Sequence, residues 1–168
     1  PSNGGACNPS VKRIDMTLNV GNIASRIVVV AEPSTPVTEV AKLMREHHVG
    51  ALPVIEGQVP KNRAIGIITD RDLVIEVLAA GVEGSQLTAA EVMTADVVTI
   101  AEGASVFNAI EAMQRHAVRR LLVTDLEHRL VGIVSMDDVI ELLAEEMGKL
   151  AGTIKRAQQR EDRLRPVR

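Results

Sequence analysis

The 168-residue chain is 46% hydrophobic and 24% charged, with a net charge of −3. That balance can bury a core, and it lacks the broad basic footprint of a nucleic-acid binder. One aromatic residue, Phe107, with no Tyr and no Trp, excludes a stacking platform for single-stranded nucleic acid. The single Cys7 excludes an internal disulfide and a multi-cysteine metal centre, and no apolar run reaches the roughly 20 residues of a membrane span. A cytoplasmic location is expected.

Residues 1–15 read as a disordered or cloning-derived arm, with Met16 a candidate start. The first apolar run, Ile27–Val30, is β-branched and strand-like. Pro36 then opens a helix whose apolar stripe is Val37, Val40, Ala41 and Met44, spaced for one buried face. Strand-like ALPVI (51–55), a polar turn and a buried strand AIGIIT (64–69) follow, and a second helix starts near Asp72. After a linker at 81–91 the pattern recurs. VVTI (97–100), a helix opened by Ser105 with Val106, Ala109, Ile110 and Met113, RLLVT (120–124), LVGIVS (130–135) and a helix near Asp138 appear in the same order.

The recurrence is a repeat in the residues themselves. At an offset of 69, residues 37–54 match 106–123 at six of eighteen positions, and at an offset of 66 GIITDRDLV (66–74) matches GIVSMDDVI (132–140). The expected fold is α+β: two β-α-β-β-α repeats, 16–80 and 92–145, packed sheet against sheet about a pseudo-two-fold axis. A basic helical tail spans 146–168. Residues 148–168 carry seven Lys/Arg against two acids, while residues 1–147 carry twelve against twenty.

The shared Gly-apolar-x-Thr/Ser-x-x-Asp pattern holds the chemistry. Thr69 and Ser135 stand at N-cap positions with Asp72 and Asp138 three residues on, the spacing of a capping box. The same arrangement offers N–H groups and a hydroxyl to a phosphate or sugar oxygen, and an Asp to ribose hydroxyls. Its occurrence at matching places in both repeats favours this second role.

On HHVGALPV with GIITDRDL, and HAVRRLLV with GIVSMDDV, residues 23–145 resemble a tandem pair of CBS domains, the module named after cystathionine β-synthase. TDRDL (69–73) with AAG (79–81) is similar to small stand-alone bacterial members. The resemblance implies a disc-like Bateman module binding adenosine-containing ligands in two clefts. In it Thr69 with Asp72, and Ser135 with Asp138, would hold phosphate and ribose. By analogy with the adenylate-binding gamma subunit of AMP-activated protein kinase, Arg119 and Arg120 would reach the phosphate at Thr69 and Asp72, a role that suits a bidentate guanidinium. Opposite Ser135 and Asp138 would lie only Gly50 and Ala51, a weaker or nucleoside-preferring site, with Lys61 and Arg63 as possible compensation. The segments Ser25–Val29 and Thr94–Val98 would meet the adenine edge through backbone, with Ile27, Val28, Val97 and Ile133 gripping the ring.

His47, His48 and His116 lack ligand-spaced partners, so no metal is expected, and Asp70 and Asp137 read as solvated helix-start charges. No catalytic constellation is present, so the chain is expected not to be an enzyme. The expected function is regulatory binding of an adenine nucleotide, AMP ahead of ADP, ATP or NAD, signalled by conformational change. The alternatives are an interaction module with empty clefts, or a binder of S-adenosylmethionine-type ligands. Ile140, Leu143, Met147, Leu150, Ile154 and Ala157 alternate by three and four, a coiled-coil seam that either folds back on the module or pairs two copies. A homodimer is expected, with the helix available to a protein target, no membrane, and nucleic acid disfavoured.

Overall fold

A computed structural model describes residues 18–26, 28–57 and 63–164. The elements run α1 (Val20–Ile23), α2 (Val37–His47), β1 (Ala51–Glu56), β2 (Arg63–Thr69) and α3 (Asp70–Asp72), which continues into a π-helical stretch (Leu73–Ala79). Then come α4 (Ala89–Val92), β3 (Thr99–Ala101), α5 (Val106–His116), β4 (Arg120–Thr124), β5 (Leu130–Ser135) and α6 (Met136–Leu164). Both repeats are present in the expected order, and the fold is α+β. No helix among the described residues is long and apolar enough to cross a membrane.

The second repeat makes a three-stranded sheet, with β3 parallel and β5 antiparallel to β4. The first makes only the antiparallel β1–β2 pair, and its leading strand shrinks to a single parallel bridge, Ala31 to Val54. Pro53 explains the difference. In the second repeat the Leu122 N–H donates to the Val98 carbonyl at 3.1 Å. The equivalent residue of the first repeat is Pro53, which has no N–H to give. The strand expected at 27–30 is therefore absent over its described residues, and Val28 and Val30 instead pack between the sheets beside Ile55, Leu122 and Leu130.

The two repeats exchange their leading segments. Val20 of α1 is fully buried in the core of the second repeat, with Val106, Met113, Leu121 and Val139. Ala89 of α4 is buried in the first, with Val40, Met44, Leu52 and Ile68. Paired hydrogen bonds fix each crossing: Val20 N–H to Ala104 O at 2.8 Å and Val106 N–H to Leu18 O at 2.9 Å, matched by Ala89 to Thr35 at 2.8 Å and Val37 to Leu87 at 2.9 Å. Beyond each short helix the chain bridges the last strand of the opposite repeat, Ser25 to Ile133 and Thr94 to Ile67.

The motif glycines permit this approach. A Cβ on Gly132 would stand 3.0 Å from the Ser25 carbonyl oxygen and 3.3 Å from Ala24 Cβ, and one on Gly66 would collide with Met93. The sole aromatic, Phe107, is exposed on α5, so the core is aliphatic.

Two predictions follow from the crossings. Gly132→Ala should lower stability by about 1–3 kcal/mol through overpacking against backbone, while Gly103→Ala, whose Cβ would meet nothing within 4 Å, should leave a urea transition unmoved. The second concerns α4, where Thr88 and Glu91 form a capping box (Thr88 N–H to Glu91 Oε2 at 2.8 Å, Thr88 Oγ1 to the same oxygen at 2.7 Å). The side-chain and then the backbone bond from Thr88 hold the Glu91 carboxyl below its usual range. A carboxyl depressed by folding adds stability above its unfolded pKa and loses it as pH falls through the folded one. Glu91→Gln should therefore narrow the difference in melting temperature between neutral and acid pH, as read by circular dichroism.

Candidate functional site

Two clefts related by the internal symmetry open between the repeats, where the crossing segments leave the ends of β2 and β5. The first, about 230 Å³, is lined by Thr69, Asp70, Arg71, Asp72, Arg119 and Arg120, with Thr94, Asp96 and the apolar Ile67, Val97, Val98, Val118 and Leu122. The second, about 320 Å³, is lined by Ser135, Asp137, Asp138, His48, Gly50 and Ala51, with Ser25, Val28, Val29, Val49, Ile133 and Arg120.

Each cleft is built on a helix start. Thr69 is the N-cap of α3, and its N–H and hydroxyl both donate to Asp72 Oδ2 at 2.7 Å while Asp72 N–H returns to Thr69 Oγ1 at 3.3 Å. Ser135 and Asp138 repeat this at 2.7, 2.6 and 3.2 Å. One carboxylate oxygen of each Asp closes the box. The other, Oδ1, has no hydrogen bond among the described residues and is free to accept from a ligand hydroxyl.

The N–H groups expected to stand open at the first cleft are occupied. Asp70 N–H donates to Gly50 O at 3.2 Å, Arg71 N–H to Asp70 Oδ1 at 2.8 Å, and Asp72 N–H to the Thr69 hydroxyl. An anion in this cleft would find its donors on side chains instead. Three arginines line it, Arg71, Arg119 and Arg120, and their guanidinium groups form no hydrogen bond or ion pair among the described residues. In the second cleft Asp137 stands where the first has Arg71, and Gly50 where it has Arg119.

The thirteen residues expected at the site divide as follows. Thr69, Asp72, Thr94, Val97, Val98, Arg119 and Arg120 come together in the first cleft; Ser25, Val28, Ile133, Ser135 and Asp138 in the second. Ile27 lies outside the described residues. Arg120 lines both clefts: its backbone pairs with Ser135, while its Nη2 lies 3.6 Å from where a Cβ on Gly50 would stand. The second cleft thus has Arg120 and His48 besides Gly50 and Ala51, correcting the expectation that it faces only the latter two. Arg63 lines a separate hollow with Thr99, Thr124 and His128, so it does not serve the second cleft; Lys61 lies outside the described residues. Asp70 and Asp137 are exposed, as expected of helix-start charges, yet both line the clefts. Arg71, which the repeat alignment sets opposite Asp137, and His48, considered above only as a metal ligand, join the expected residues in the cleft walls.

A family model for the CBS domain matches residues 20–79 and 89–145. The chain belongs to the CBS-domain family. Each match opens on one of the exchanged short helices. An uncharacterized protein of Methanopyrus kandleri is 35% identical over 126 residues, 75% of this chain, and the match spans 63% of that protein's length. Hypoxic response protein 1 of Mycobacterium tuberculosis is 41% identical over 108 residues, 64% of this chain and 73% of the relative. Its crystal structure, containing two coordinated zinc ions, superposes with a TM-score of 0.63 at 35% identity over 73% of this chain and 97% of that one. The CBS-domain pair of protein MJ0100, in complex with 5′-methylthioadenosine and S-adenosyl-L-methionine, superposes at 0.66 with 27% identity over 76% of this chain and 97% of that one.

The zinc ions of hypoxic response protein 1 overturn the expectation that no metal belongs with this module. In this chain His47, His48 and His116 are all exposed. Among the described residues no three His, Cys, Asp or Glu side chains gather into a group that could hold a metal ion, and Cys7 lies outside them.

The capping boxes make a direct prediction. Thr69→Ala and Ser135→Ala should each cost about 1 kcal/mol of folding stability through loss of a helix N-cap, read from urea denaturation of the ligand-free protein.

Proposed function

We propose that the chain is a regulatory module, with no catalytic step of its own, that binds an adenine nucleotide in the first cleft and works as a homodimer. The observation that carries this reading is the group of three arginines that have no carboxylate partner among the described residues and lie beside Thr69 and Asp72. Guanidinium forks match phosphate oxygens in bidentate fashion. Oδ1 of Asp72 accepts from ribose hydroxyls, and Ile67, Val97, Val98, Val118 and Leu122 supply the apolar walls a purine needs when no aromatic is at hand. The adenosine derivatives in the complex of the MJ0100 domain pair support the adenosine half of the ligand. Binding acts as a signal to the extent that the ligand prefers one relative placement of the two repeats.

A second reading applies to the second cleft alone. With Asp137 in place of Arg71 and one shared arginine, it suits a neutral or cationic adenosine derivative, such as a nucleoside or a sulfonium compound, better than a nucleotide polyphosphate.

Calorimetric titration with AMP, ATP, NAD, adenosine and S-adenosylmethionine tests both readings. AMP or another phosphorylated adenosine should bind, Asp72→Ala should abolish binding in the first cleft, and Arg119→Ala should weaken it by about ten-fold or more, the value of a charge-assisted hydrogen bond. Asp138→Ala should spare the first cleft and remove adenosine or S-adenosylmethionine binding in the second. No heat and no thermal stabilisation with any of these compounds would leave an interaction module with empty clefts as the function.

A further inference from the structure

The 29-residue helix α6 far outruns the module it starts from. Its first turns pack on α1, α5 and β5 through Val139 and Leu142. The seam on another face does not fold back. Ile140 is 57% exposed, Leu143 37%, Met147 70%, Leu150 67% and Ile154 62%, and Leu164, on the same heptad phase, is 69% exposed. Six apolar side chains on one stripe about 36 Å long (1.5 Å per residue) form a coiled-coil seam that lacks a second strand. Gly148 and Gly152 fall outside this stripe, whose own weak positions are Ala157 and Glu161, between Ile154 and Leu164.

Charge along the helix selects the partner. From Met136 to Gly148 the helix has Asp137, Asp138, Glu141, Glu145 and Glu146 and no Lys or Arg; from Lys149 to Leu164 it has Lys149, Lys155, Arg156, Arg160 and Arg163 against Glu161 and Asp162. A second copy laid parallel would set acid beside acid, base beside base and Glu161 against its own copy in the seam. Laid antiparallel about residue 152, the same helix sets its acidic half along the other's basic half. Leu150 then meets Ile154 and Ile140 meets Leu164 across the seam, Glu161 meets Leu143 and not a second carboxylate, and Glu146 faces Arg160 on its flank. Arg160 has no ion-pair partner among the described residues, and Glu146 has Lys149 at 2.6 Å on the same helix.

We propose that α6 pairs antiparallel with α6 of a second copy of this chain, through the Ile140–Leu164 seam and reciprocal Glu146–Arg160 contacts. The inference rests on the homodimer proposed above and gives it a place and a direction.

The full chain, with Cys7→Ser to remove the native thiol, provides the test. Under mild oxidation Glu146→Cys/Arg160→Cys should form a covalent dimer on a non-reducing gel, whereas Met147→Cys alone, a self-contact only in a parallel pair, should not. In sedimentation, Leu150→Asp/Ile154→Asp should weaken self-association by roughly ten-fold or more, as loss of a central apolar contact does. These side chains are exposed, so the thermal transition of that variant should persist. Wild-type chain that stays monomeric overturns both the homodimer and the helix pairing. A dimer that survives Leu150→Asp/Ile154→Asp, or one that cross-links through Met147→Cys and not through the 146/160 pair, overturns the antiparallel helix pairing alone. Calorimetric titration of the same variants reports the clefts independently of either result.

Discussion

Two antiparallel bridges, Ser25 to Ile133 and Thr94 to Ile67, hold the rest of the molecule in register. Each fastens the leading segment of one repeat to the last strand of the other, immediately before that strand delivers its capping hydroxyl. Thr94, Val97 and Val98 therefore face Thr69 and Asp72, and Ser25, Val28 and Val29 face Ser135 and Asp138. The glycine of each motif is explained by the same contact: at Gly132 a carbonyl oxygen occupies the space that a side chain would need. A residue that looked like part of a ligand signature is first a requirement of packing, and the ligand signature follows from where that packing puts the chain.

The repeat, its element order and most cleft residues were legible in the sequence, because a tandem repeat writes each position twice. The Thr69–Asp72 and Ser135–Asp138 boxes could be read from spacing, since a capping box is a local structure. The exchange of leading segments could not. Val20 is apolar, and apolarity does not say which of two similar cores it enters. The missing first strand turns on Pro53, one absent N–H across from a run that is β-prone by composition; propensity describes the run and not its partner. Arg71 escaped for a different reason. It lies inside the helix start and was read as part of the family pattern TDRDL, although only the first repeat has a cation there.

The two clefts have the same walls and different charges. Ile67, Val97, Val98 and Val118 of the first cleft match Ile133, Val28, Val29 and Val49 of the second, while Arg71, Arg119 and Arg120 correspond to Asp137, Gly50 and Ala51. Hydrogen bonding at the two helix starts is nearly the same: Asp70 N–H donates to Gly50 O and Met136 N–H to Arg119 O, Asp72 and Asp138 N–H return to the capping hydroxyls, and only Arg71 N–H, which donates to Asp70 Oδ1, has no counterpart among the described residues. The charge difference therefore lies in side chains at the cleft rim, which can be substituted without disturbing the fold. This kind of site lets one architecture serve different ligands.

Arg120 has a further consequence. Its main chain belongs to the ladder beside Ser135, and its side chain stands on the wall common to both clefts. A guanidinium can turn its donors toward only one cleft at a time. The side chain of Arg120 is therefore shared property, and a substitution there reshapes both clefts at once.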